Sequence, residues 1–397
     1  MAELRSDWLQ RPLGDLLTLR YGKGLPSRRR RPGPYPVYGS GGIIGYHDEP
    51  LVPGPGIIVG RKGSIGTVHY EGRSFFPIDT VFFVELKDPE VDLRYVYYML
   101  KASALYTLNT DAAVPGLNRD VAHRQVFGTP PFPVQRKIAS ILSAYDGVIE
   151  NNLRRIQILE EVAQLVYREW FVKFRFPGHE KVRMVDSPLG KIPETWKETA
   201  LGEVTALIKR GIAPAYDESS PSIVINQRCI RHSRLDMSQS RRHRKTVPVD
   251  RYVVRGDVLV NSTGVGTLGR VAQVQTDLPD CTVDTHVTIV RPADSQDPDF
   301  FGLQVLSLEP LFQQQGRGTT GQTELNREAI SNAPYRDPGP ALQRRFGSAV
   351  RRLRVLSAHL APINDVVRQT RDLLLPKLVS GELDVSDLDV DVREATP

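Results

Sequence analysis

Two acidic residues and a lysine in the first half of the chain have types and a spacing that could support metal-dependent catalysis. Asp79, Glu85 and Lys87 form an Asp…Glu-x-Lys series, in which carboxylates can hold a cation and a lysine can polarise a water molecule. On a strand, Glu85 and Lys87 would share one face, because side chains alternate with a period of two. The corresponding stretch of the second half ends in Val290-Arg291, without an acid-x-Lys series. Such triplets often arise by chance, so nuclease chemistry stays an alternative to a binding function.

A glycine series in the second half has the spacing of a dinucleotide-binding loop. Gly264-Val-Gly-Thr-Leu-Gly269 is a formal G-x-G-x-x-G and follows a predicted strand. Residues 270–275 then alternate like another strand, whereas a pyrophosphate site needs a helix N-terminus at this place. A glycine-rich hairpin connection is therefore favoured.

Other cofactor and metal signatures are absent from the sequence. His47, His69, His123 and His286 show no ligand spacing, and there is no G-x-x-x-x-G-K-[ST] loop. The Asn/Asp-Pro-Pro-aromatic motif of amino-methyltransferases is also missing. Neither a catalytic residue nor a metal or cofactor is predicted.

Glycine loops rich in cations and amides instead favour recognition chemistry, and they occur twice. Residues 38–45 and 60–64 correspond to residues 224–228 and 261–264 in the second half. Backbone N–H groups and cations bind phosphates, while Arg, Asn and Gln can read base edges through paired hydrogen bonds. The glycines could equally serve only to form tight turns, and that alternative stays open.

The charge distribution also favours a polyanionic partner. The chain carries a net charge of +6, with a pI near 9.2, and has basic runs at residues 28–31 and 241–245. A single basic run is usually a solvated loop, but runs in the corresponding half of each repeat favour nucleic acid. The predicted DNA-binding residues are Arg28, Arg29, Arg30, Ser40, Arg61, Lys62, Ser64, Asn226, Gln227, Arg228, Arg241, Arg242, Asn261, Ser262 and Thr263.

Two long helices must position these loops. Residues 134–171 keep apolar residues at alternating steps of three and four over more than four heptads, with Asn152 as the single polar residue of the seam. Residues 341–380 match this helix at an offset of 208, although Pro362 is expected to kink or interrupt the second copy. The predicted helix–helix interface comprises Ile138, Leu142, Tyr145, Ile149, Asn152, Ile156, Leu159, Val166, Trp170, Phe346, Val350, Leu353, Leu360, Val367, Leu374 and Leu378.

An internal repeat covers nearly the whole chain. Trp8 corresponds to Trp196 at an offset of 188, and Leu117-Asn-Arg119 corresponds to Leu325-Asn-Arg327 at 208. The predicted order is a first module (1–133), a central long helix (134–175), a linker (176–191), a second module (192–340), a C-terminal long helix (341–380) and a frayed acidic tail (381–397). Strands are expected at 56–60, 80–85, 257–261 and 285–290, and helices at 92–105 and 299–311. We therefore expect an α+β fold of two tandem modules separated by two long helices, packed as an antiparallel coiled coil with a pseudo-twofold internal repeat.

Length and composition exclude several classes of protein. A chain of 397 residues can form two or three domains, and no apolar run is long enough to cross a bilayer. Cys229 and Cys281 are too few for a disulfide framework or a structural zinc site. A cytoplasmic location is the expectation.

The chain resembles one family closely, the specificity subunits of type I restriction–modification systems. The resemblance rests on Tyr35-Pro-Val-Tyr-Gly-Ser-Gly-Gly-Ile-Ile-Gly45, Gly54-Pro-Gly-Ile-Ile-Val-Gly-Arg-Lys-Gly-Ser-Ile-Gly66, Pro77-Ile-Asp-Thr80, Asn118-Arg119, Gln135-Arg-Lys-Ile138, Glu150-Asn-Asn152 and Leu165-Val-Tyr-Arg-Glu-Trp-Phe171. The second module departs more, with Asn261-Ser-Thr-Gly264 in place of Gly60-Arg-Lys-Gly63, but Val283-Asp-Thr285 keeps the Ile-Asp-Thr theme.

The resemblance implies a non-catalytic subunit that contains two target-recognition domains. Each domain would bind one half of a bipartite site in double-stranded DNA, and the helices would set the spacer between the halves. The helices would also dock methyltransferase subunits, two being expected, and the complex would take up a restriction and translocation subunit. The alternatives are a sequence-specific metal-dependent endonuclease and a scaffold protein that does not bind DNA.

Overall fold

The structure is a computed structural model that describes residues 8–108, 116–187, 190–315 and 324–390, and the chain divides into two units. The first unit runs to Asn151 and resumes at Asn364, and the second unit is Asn152–Ile363. Each unit therefore combines one module with the beginning of one long helix and the end of the other.

The first module contains short strands and three short helices, followed by a long helix. Its strands are β1 (Leu9–Pro12), β2 (Leu17–Tyr21), β3 (Tyr35–Gly39), β4 (Gly42–His47), β5 (Gly56–Gly60), β6 (Val68–Glu71), β7 (Phe76–Pro77), β8 (Val81–Leu86) and β9 (Val126–Thr129). Its helices are α1 (Leu13–Leu16), α2 (Leu93–Ala102) and α3 (Arg119–His123), and the long helix is α4 (Phe132–Tyr167), which a π-helical turn extends over Arg168–Val172.

The rest of the chain repeats this pattern and ends in a second long helix. The strands are β10 (Met184–Ser187), β11 (Gly190–Pro193), β12 (Lys197–Ala200), β13 (Thr205–Arg210), β14 (Ile223–Ile225), β15 (Ile230–Arg231), β16 (Arg234–Leu235), β17 (Arg241–Arg242), β18 (Val258–Asn261), β19 (Val271–Gln273), β20 (Cys281–Val283), β21 (Val287–Pro292) and β22 (Pro334–Asp337). The helices are α5 (Pro298–Ser307), α6 (Glu309–Gln315), α7 (Arg327–Ser331) and α8 (Pro340–Ser380).

Sheet topology confirms the internal repeat and the α+β fold. The first unit has an antiparallel sheet in the order β2-β8-β5-β6, and the second unit has the same sheet as β13-β21-β18-β19. A three-stranded sheet follows in each, β4-β3-β7 and β17-β14-β20, with one antiparallel and one parallel pairing. The pairs β1-β9 and β12-β22 complete the correspondence. The four strands predicted from sequence are β5, β8, β18 and β21, which are the central strands of the larger sheets.

Alternation along the central strands gives each module two apolar layers. In the first unit, Ile57 and Val59 face a core built with α2, whereas Ile58 packs on the other face with Tyr38 and Phe75. In the second unit the same split separates Val258 and Val260 from Leu259. Because side chains of a strand alternate between faces, a strand that is apolar at every position must be covered on both sides.

Matching side chains cap the short helices of the two modules. Asp92 accepts a hydrogen bond from the Tyr95 N–H before α2, and Asp297 accepts from Asp299 and Phe300 before α5. Asn118 and Asn326 cap α3 and α7 in the same way. The helix expected at 299–311 is divided into α5 and α6, because Pro310 lacks the N–H that would continue α5 and fits the first turn of a new helix.

Within the first unit the two long helices pair antiparallel. Ile138 and Leu142, near the start of α4, belong to the same core as Leu375 and Leu378, near the end of α8. Further along α4, Asp146 forms an ion pair with Arg371, and the Ile149 carbonyl accepts a hydrogen bond from the Asn364 amide. Residue numbers rise on one helix as they fall on the other, so the helices run in opposite directions.

The second unit shows the same antiparallel arrangement with the other ends of the helices. The rings of Tyr167 and Trp170 lie 6.1 and 5.7 Å from that of Phe346, and Ser357 donates a hydrogen bond to Glu160. All the residues that the sequence predicts for the helix interface are buried or half-buried. Polar contacts also join the two helices, through Asp146 and Arg371, Asn364 and the Ile149 carbonyl, and Ser357 and Glu160.

One glutamine anchors each long helix to its module. The Gln135 side chain accepts from the Asp92 N–H and donates to the carbonyls of Glu90 and Pro130. Gln343, its counterpart, accepts from the Asp297 N–H and donates to Gln296 and Asp337. Each glutamine is 1% exposed, and each forms one hydrogen bond that is fully buried, to the Pro130 carbonyl and from the Asp297 N–H.

Three local expectations are wrong. The interruption expected at Pro362 does not occur, because helix α8 is unbroken from Pro340 to Ser380. The predicted linker contains the β10-β11 hairpin, and its residues Phe176, Val182 and Val185 join the core of the second unit. In the predicted acidic tail, which the structure describes to residue 390, Val385 is 3% exposed in the core of the first unit and the Ser386 carbonyl accepts a hydrogen bond from Lys137.

Candidate nucleic-acid interface

A cationic and aromatic surface lies beside the β5–β6 loop of the first unit. The Arg61 guanidinium carbon is 5.3 Å from the centre of the Tyr21 ring, and that of Arg119 is 5.7 Å from the same ring. Tyr21 is 53% exposed at the end of β2, and Lys62 is exposed next to Arg61. We call Tyr21, Arg61 and Arg119 the Tyr21 cluster. An exposed ring beside two cations is suited to phosphates and to the faces and edges of bases.

Glycine geometry fixes the loop that carries Arg61. Gly66 has a φ of +69°, and a Cβ there would lie 2.4 Å from the Tyr106 backbone nitrogen. A Cβ on Gly60 would lie 2.2 Å from the Ser64 carbonyl oxygen. These two glycines are therefore needed for the tight turn, whereas exposed Lys62 and Ser64 remain available to a ligand.

The equivalent loop of the second unit is built from internal hydrogen bonds. The Asn261 amide donates to the carbonyls of Gln227 and Thr267, each at 3.0 Å, and the Ser262 hydroxyl lies 2.5 Å from that of Thr288. Asn261 and Ser262 are fully buried. Thr263 is half-buried and contacts His286.

Burial removes three predicted residues from direct contact with DNA. Besides Asn261 and Ser262, Ser40 is 7% exposed, and its hydroxyl lies 2.5 and 2.7 Å from the carbonyl oxygens of Lys62 and Thr80. A short side chain held inside a loop cannot reach a base edge or a phosphate. The prediction is therefore corrected at these positions, where the polar groups shape the loops.

The basic run at residues 28–31 divides into two pairs. Arg28 and Arg29 are exposed on a 3-10 turn. Arg30 donates to the Ile44 carbonyl of the β3–β4 hairpin, and Arg31 forms ion pairs with Asp48 and Glu49. The hydrogen bond from Arg31 lowers the pKa of Asp48. Arg28 and Arg29 therefore remain candidates for phosphate contact, while the next two arginines hold the hairpin.

The second unit presents its cations on an edge strand. Arg241 and Arg242 form β17; the guanidinium of Arg241 stacks 3.8 Å from the centre of the Tyr216 ring, and Arg242 donates to the Ser220 carbonyl. Arg228 is exposed, Gln227 is half-buried, and the Asn226 side chain is engaged with the backbone of Arg228 and Gln239. The exposed arginines can reach a ligand, whereas Asn226 closes a turn.

The alternative nuclease site is not assembled. Asp79 precedes β8 and Glu85 lies near its end, so at about 3.3 Å per residue the two carboxylates are more than about 13 Å apart along the strand. Glu85 pairs with Arg20, and Lys87 donates to the Gly14 carbonyl. Across the described ranges, no group of three or more His, Cys, Asp or Glu residues is placed to hold a metal ion.

The histidines that the sequence singles out form contacts within their own modules. His123 accepts a hydrogen bond from the Leu19 N–H, and His47 accepts from the Arg31 N–H. Burial lowers the pKa of His69 and of His123, which favours their neutral forms. The formal G-x-G-x-x-G leads into strand β19, as the hairpin interpretation requires.

A second feature is a set of exposed apolar side chains on the long-helix segments of each unit, which we call the apolar patch of that unit. In the first unit it comprises Val148, Val366 and Leu373, which are 48%, 62% and 69% exposed. In the second unit the residues at the repeat offset of 208 are Leu356, Ile158 and Leu165, which are 41%, 49% and 48% exposed. The seam between the helices already buries its own apolar residues, so these patches are additional and lie on corresponding surfaces.

Sequence reasoning missed Tyr21 and the stacking of Arg119. No local pattern marks them, because Tyr21, Arg61 and Arg119 come together only through the pairing of β2 with β8 and the packing of α3. The one available signal was the repetition of Asn118-Arg119 as Asn326-Arg327.

The chain is similar to a family of DNA specificity domains and to individual specificity subunits of type I restriction enzymes. The family model described as "Type I restriction modification DNA specificity domain" matches residues 5–161. The MjaIX specificity subunit of a type I restriction enzyme from Methanocaldococcus jannaschii is 24% identical over 74% of this chain and 70% of its own length. The MjaVIII specificity subunit from the same organism is 27% identical over 37% of this chain and 32% of its own length.

A solved structure shows the same fold. The S subunit of a type I restriction–modification system from M. genitalium aligns with a TM-score of 0.64 and 18% identity, covering 95% of this chain and 98% of that one. Among the described helices, none is both long and apolar enough to cross a membrane.

Proposed function

We propose that this chain, which belongs to the specificity subunits of type I restriction–modification systems, reads a bipartite DNA site with one module on each half. The observation that supports this most is the doubled module. The two units share sheet order and helix caps but differ in the residues that stand beside the equivalent loops. A shared frame with different surfaces suits two unlike half-sites.

In this proposal, phosphate contacts come from the exposed cations that flank the loops. Arg28, Arg29 and Lys62 serve the first half-site, and Arg228 and Arg241 serve the second. Such contacts fix the register of the modules on the duplex and make binding sensitive to salt. The chain itself is non-catalytic, and the methyltransferase and restriction subunits of a cytoplasmic complex supply the chemistry.

The long helices set the distance between the half-sites. Seven residues inserted into each helix would lengthen it by about 10.5 Å, which is about three base pairs of DNA. We expect a heptad insertion in both α4 and α8 to lengthen the nonspecific spacer of the methylated motif by about three base pairs. Both half-sites should stay unchanged. An unchanged spacer in a folded variant would exclude the ruler role.

The apolar patches are the proposed docking sites for two methyltransferase subunits. Because the patches correspond position by position, one kind of partner can bind both units in the same way. We expect Leu165→Asp with Leu373→Asp to abolish co-purification of the methyltransferase subunits, since each introduces a charge into an apolar contact. Leu153, exposed on α4 outside the patch, offers the control Leu153→Asp. Equal loss with the control would contradict this assignment.

Three outcomes separate the proposal from its alternatives. The purified chain should bind duplex DNA with an affinity that falls as salt rises. A scaffold protein would not bind DNA, and an endonuclease would cut a plasmid in the presence of divalent metal without any partner. Methylation mapping in a host that contains this chain and its methyltransferase should show one bipartite motif.

A further inference from the structure

The half-buried side chain of Arg61 is held in one orientation by contacts within the first unit. Its Nε and Nη2 atoms lie 3.2 and 2.6 Å from the Asp79 carbonyl oxygen and donate to it. The guanidinium also lies near two rings, with its carbon 5.3 Å from the Tyr21 centre and 5.9 Å from that of Phe82. These contacts remove much of the rotational freedom that an arginine normally loses on binding.

The hydrogen bonds to Asp79 use only one edge of the guanidinium. Nε and Nη2 form that edge, and the other edge is formed by Nη1 and the second N–H of Nη2. This second edge has no hydrogen-bond partner among the described residues, and the bonds to Asp79 lie at the surface. Two parallel N–H donors on a fixed plane match the O6 and N7 acceptors of guanine in the major groove.

The second unit retains one member of the Tyr21 cluster and replaces the others. The Leu117 N–H donates to the Arg61 carbonyl, and the Leu325 N–H donates to the Ser262 carbonyl, so Ser262 stands at the position of Arg61. Arg210 stands at the end of β13 as Tyr21 does at the end of β2, and it is paired with Glu324. Arg327 keeps the position of Arg119.

Residues that are kept in both modules and residues that differ between them are expected to contact different parts of the DNA. A residue kept in both modules suits what both half-sites share, which is the phosphate backbone. Residues that differ suit the bases. Ser262 is short and fully buried, so the second module has no outward side chain where the first has Arg61.

We propose that Arg61 is a specificity-determining residue that reads one guanine of the first half-site through its free guanidinium edge. Tyr21 and the Asp79 carbonyl hold the guanidinium in place, and Arg119 binds the neighbouring backbone. The inference rests on the proposed function, since it assumes that the first module reads DNA.

The test compares methylated motifs in hosts that express the full chain with its methyltransferase subunits. Arg61→Lys keeps the charge but cannot make the paired contact, so discrimination at one guanine should fall by about 5-fold to 150-fold, the range of a good bidentate pair. The rest of the first half-site, the spacer and the second half-site should be unchanged. Lys62→Ala, a matched change at the next residue, should instead lower methylation equally at all sites and reduce the salt dependence of binding by about one phosphate contact.

The outcomes distinguish this inference from the function on which it rests. If the wild-type chain gives no bipartite motif, the proposed function fails. If the wild type gives the motif and folded Arg61→Lys and Arg61→Ala variants both keep it at every position, Arg61 does not read a base. A uniform loss like that of Lys62→Ala would make Arg61 a phosphate contact and would also overturn the inference.

Discussion

Replacing Gln135 by methionine should destabilise the first unit while leaving the second unit nearly unchanged. Methionine has a similar volume but cannot replace the three hydrogen bonds to Asp92, Glu90 and Pro130. The bond to the Pro130 carbonyl is fully buried, and leaving such a group unpaired costs about 1–3 kcal/mol. The other two are partly accessible, so the total loss in unfolding free energy should be about 2–4 kcal/mol.

Hydrogen exchange measured by mass spectrometry can assign this loss to one unit. A change of about 2–4 kcal/mol should speed exchange of the protected β5 amides by about 30-fold to 900-fold, with little effect on β18. The mirror variant Gln343→Met should reverse the pattern. Gln157 lies exposed on α4 and is bonded only to Glu161 among the described residues, so Gln157→Met serves as the control. If Gln135→Met and the control give the same exchange, the glutamines are not anchors.

Two further changes test packing and charge within single units. Val385→Ala should lower the unfolding free energy of the first unit by about 1–2 kcal/mol in urea titrations, because it removes two buried methyl groups. The control Leu388→Ala, at a site that is 50% exposed, should have little effect. Equal effects of the two changes would show that this segment does not pack into the core. Burial raises the pKa of Glu160 despite its contacts with Arg234 and Ser357, so protonation favours the folded state. That contribution is complete below the ordinary glutamate pKa and is lost as pH rises through the raised value; Glu160→Gln should flatten the pH dependence of stability in this window, and an unaltered slope would contradict the pKa shift.

The central strands and the long helices could be predicted from sequence because local patterns of apolar residues indicate which positions are buried. Gly56-Ile-Ile-Val-Gly60 becomes a strand covered on both faces, and the heptad seam gives α4 and α8 almost to the residue. The burial of polar residues along the long helices was not visible in this pattern. Gln135 and Arg371 are hydrophilic by type, and only their partners in the folded chain make their burial favourable.

The candidate site was predictable only in part, for a related reason. Arg61 and Lys62 lie in a glycine loop, and their residue types alone predict that the loop can bind phosphates or bases. Asn261 and Ser262 stand in the equivalent loop, but a polar side chain can either bind a ligand or tie its own loop, and residue type does not separate these roles. Val385 shows the converse, because the acidic segment also contains Leu383 and Leu388, which are exposed, and residue type does not distinguish them from the buried Val385.

The packing of residues 375–385 into the first unit has a consequence for biosynthesis. The second unit is one continuous stretch and can fold as soon as it leaves the ribosome, whereas the core of the first unit needs Leu375, Leu378 and Val385. The module that is translated first therefore completes its core only after the module translated second. Until then its apolar surface around Ile138 and Leu142 stays uncovered, so a stalled or truncated chain would present that surface to chaperones and proteases.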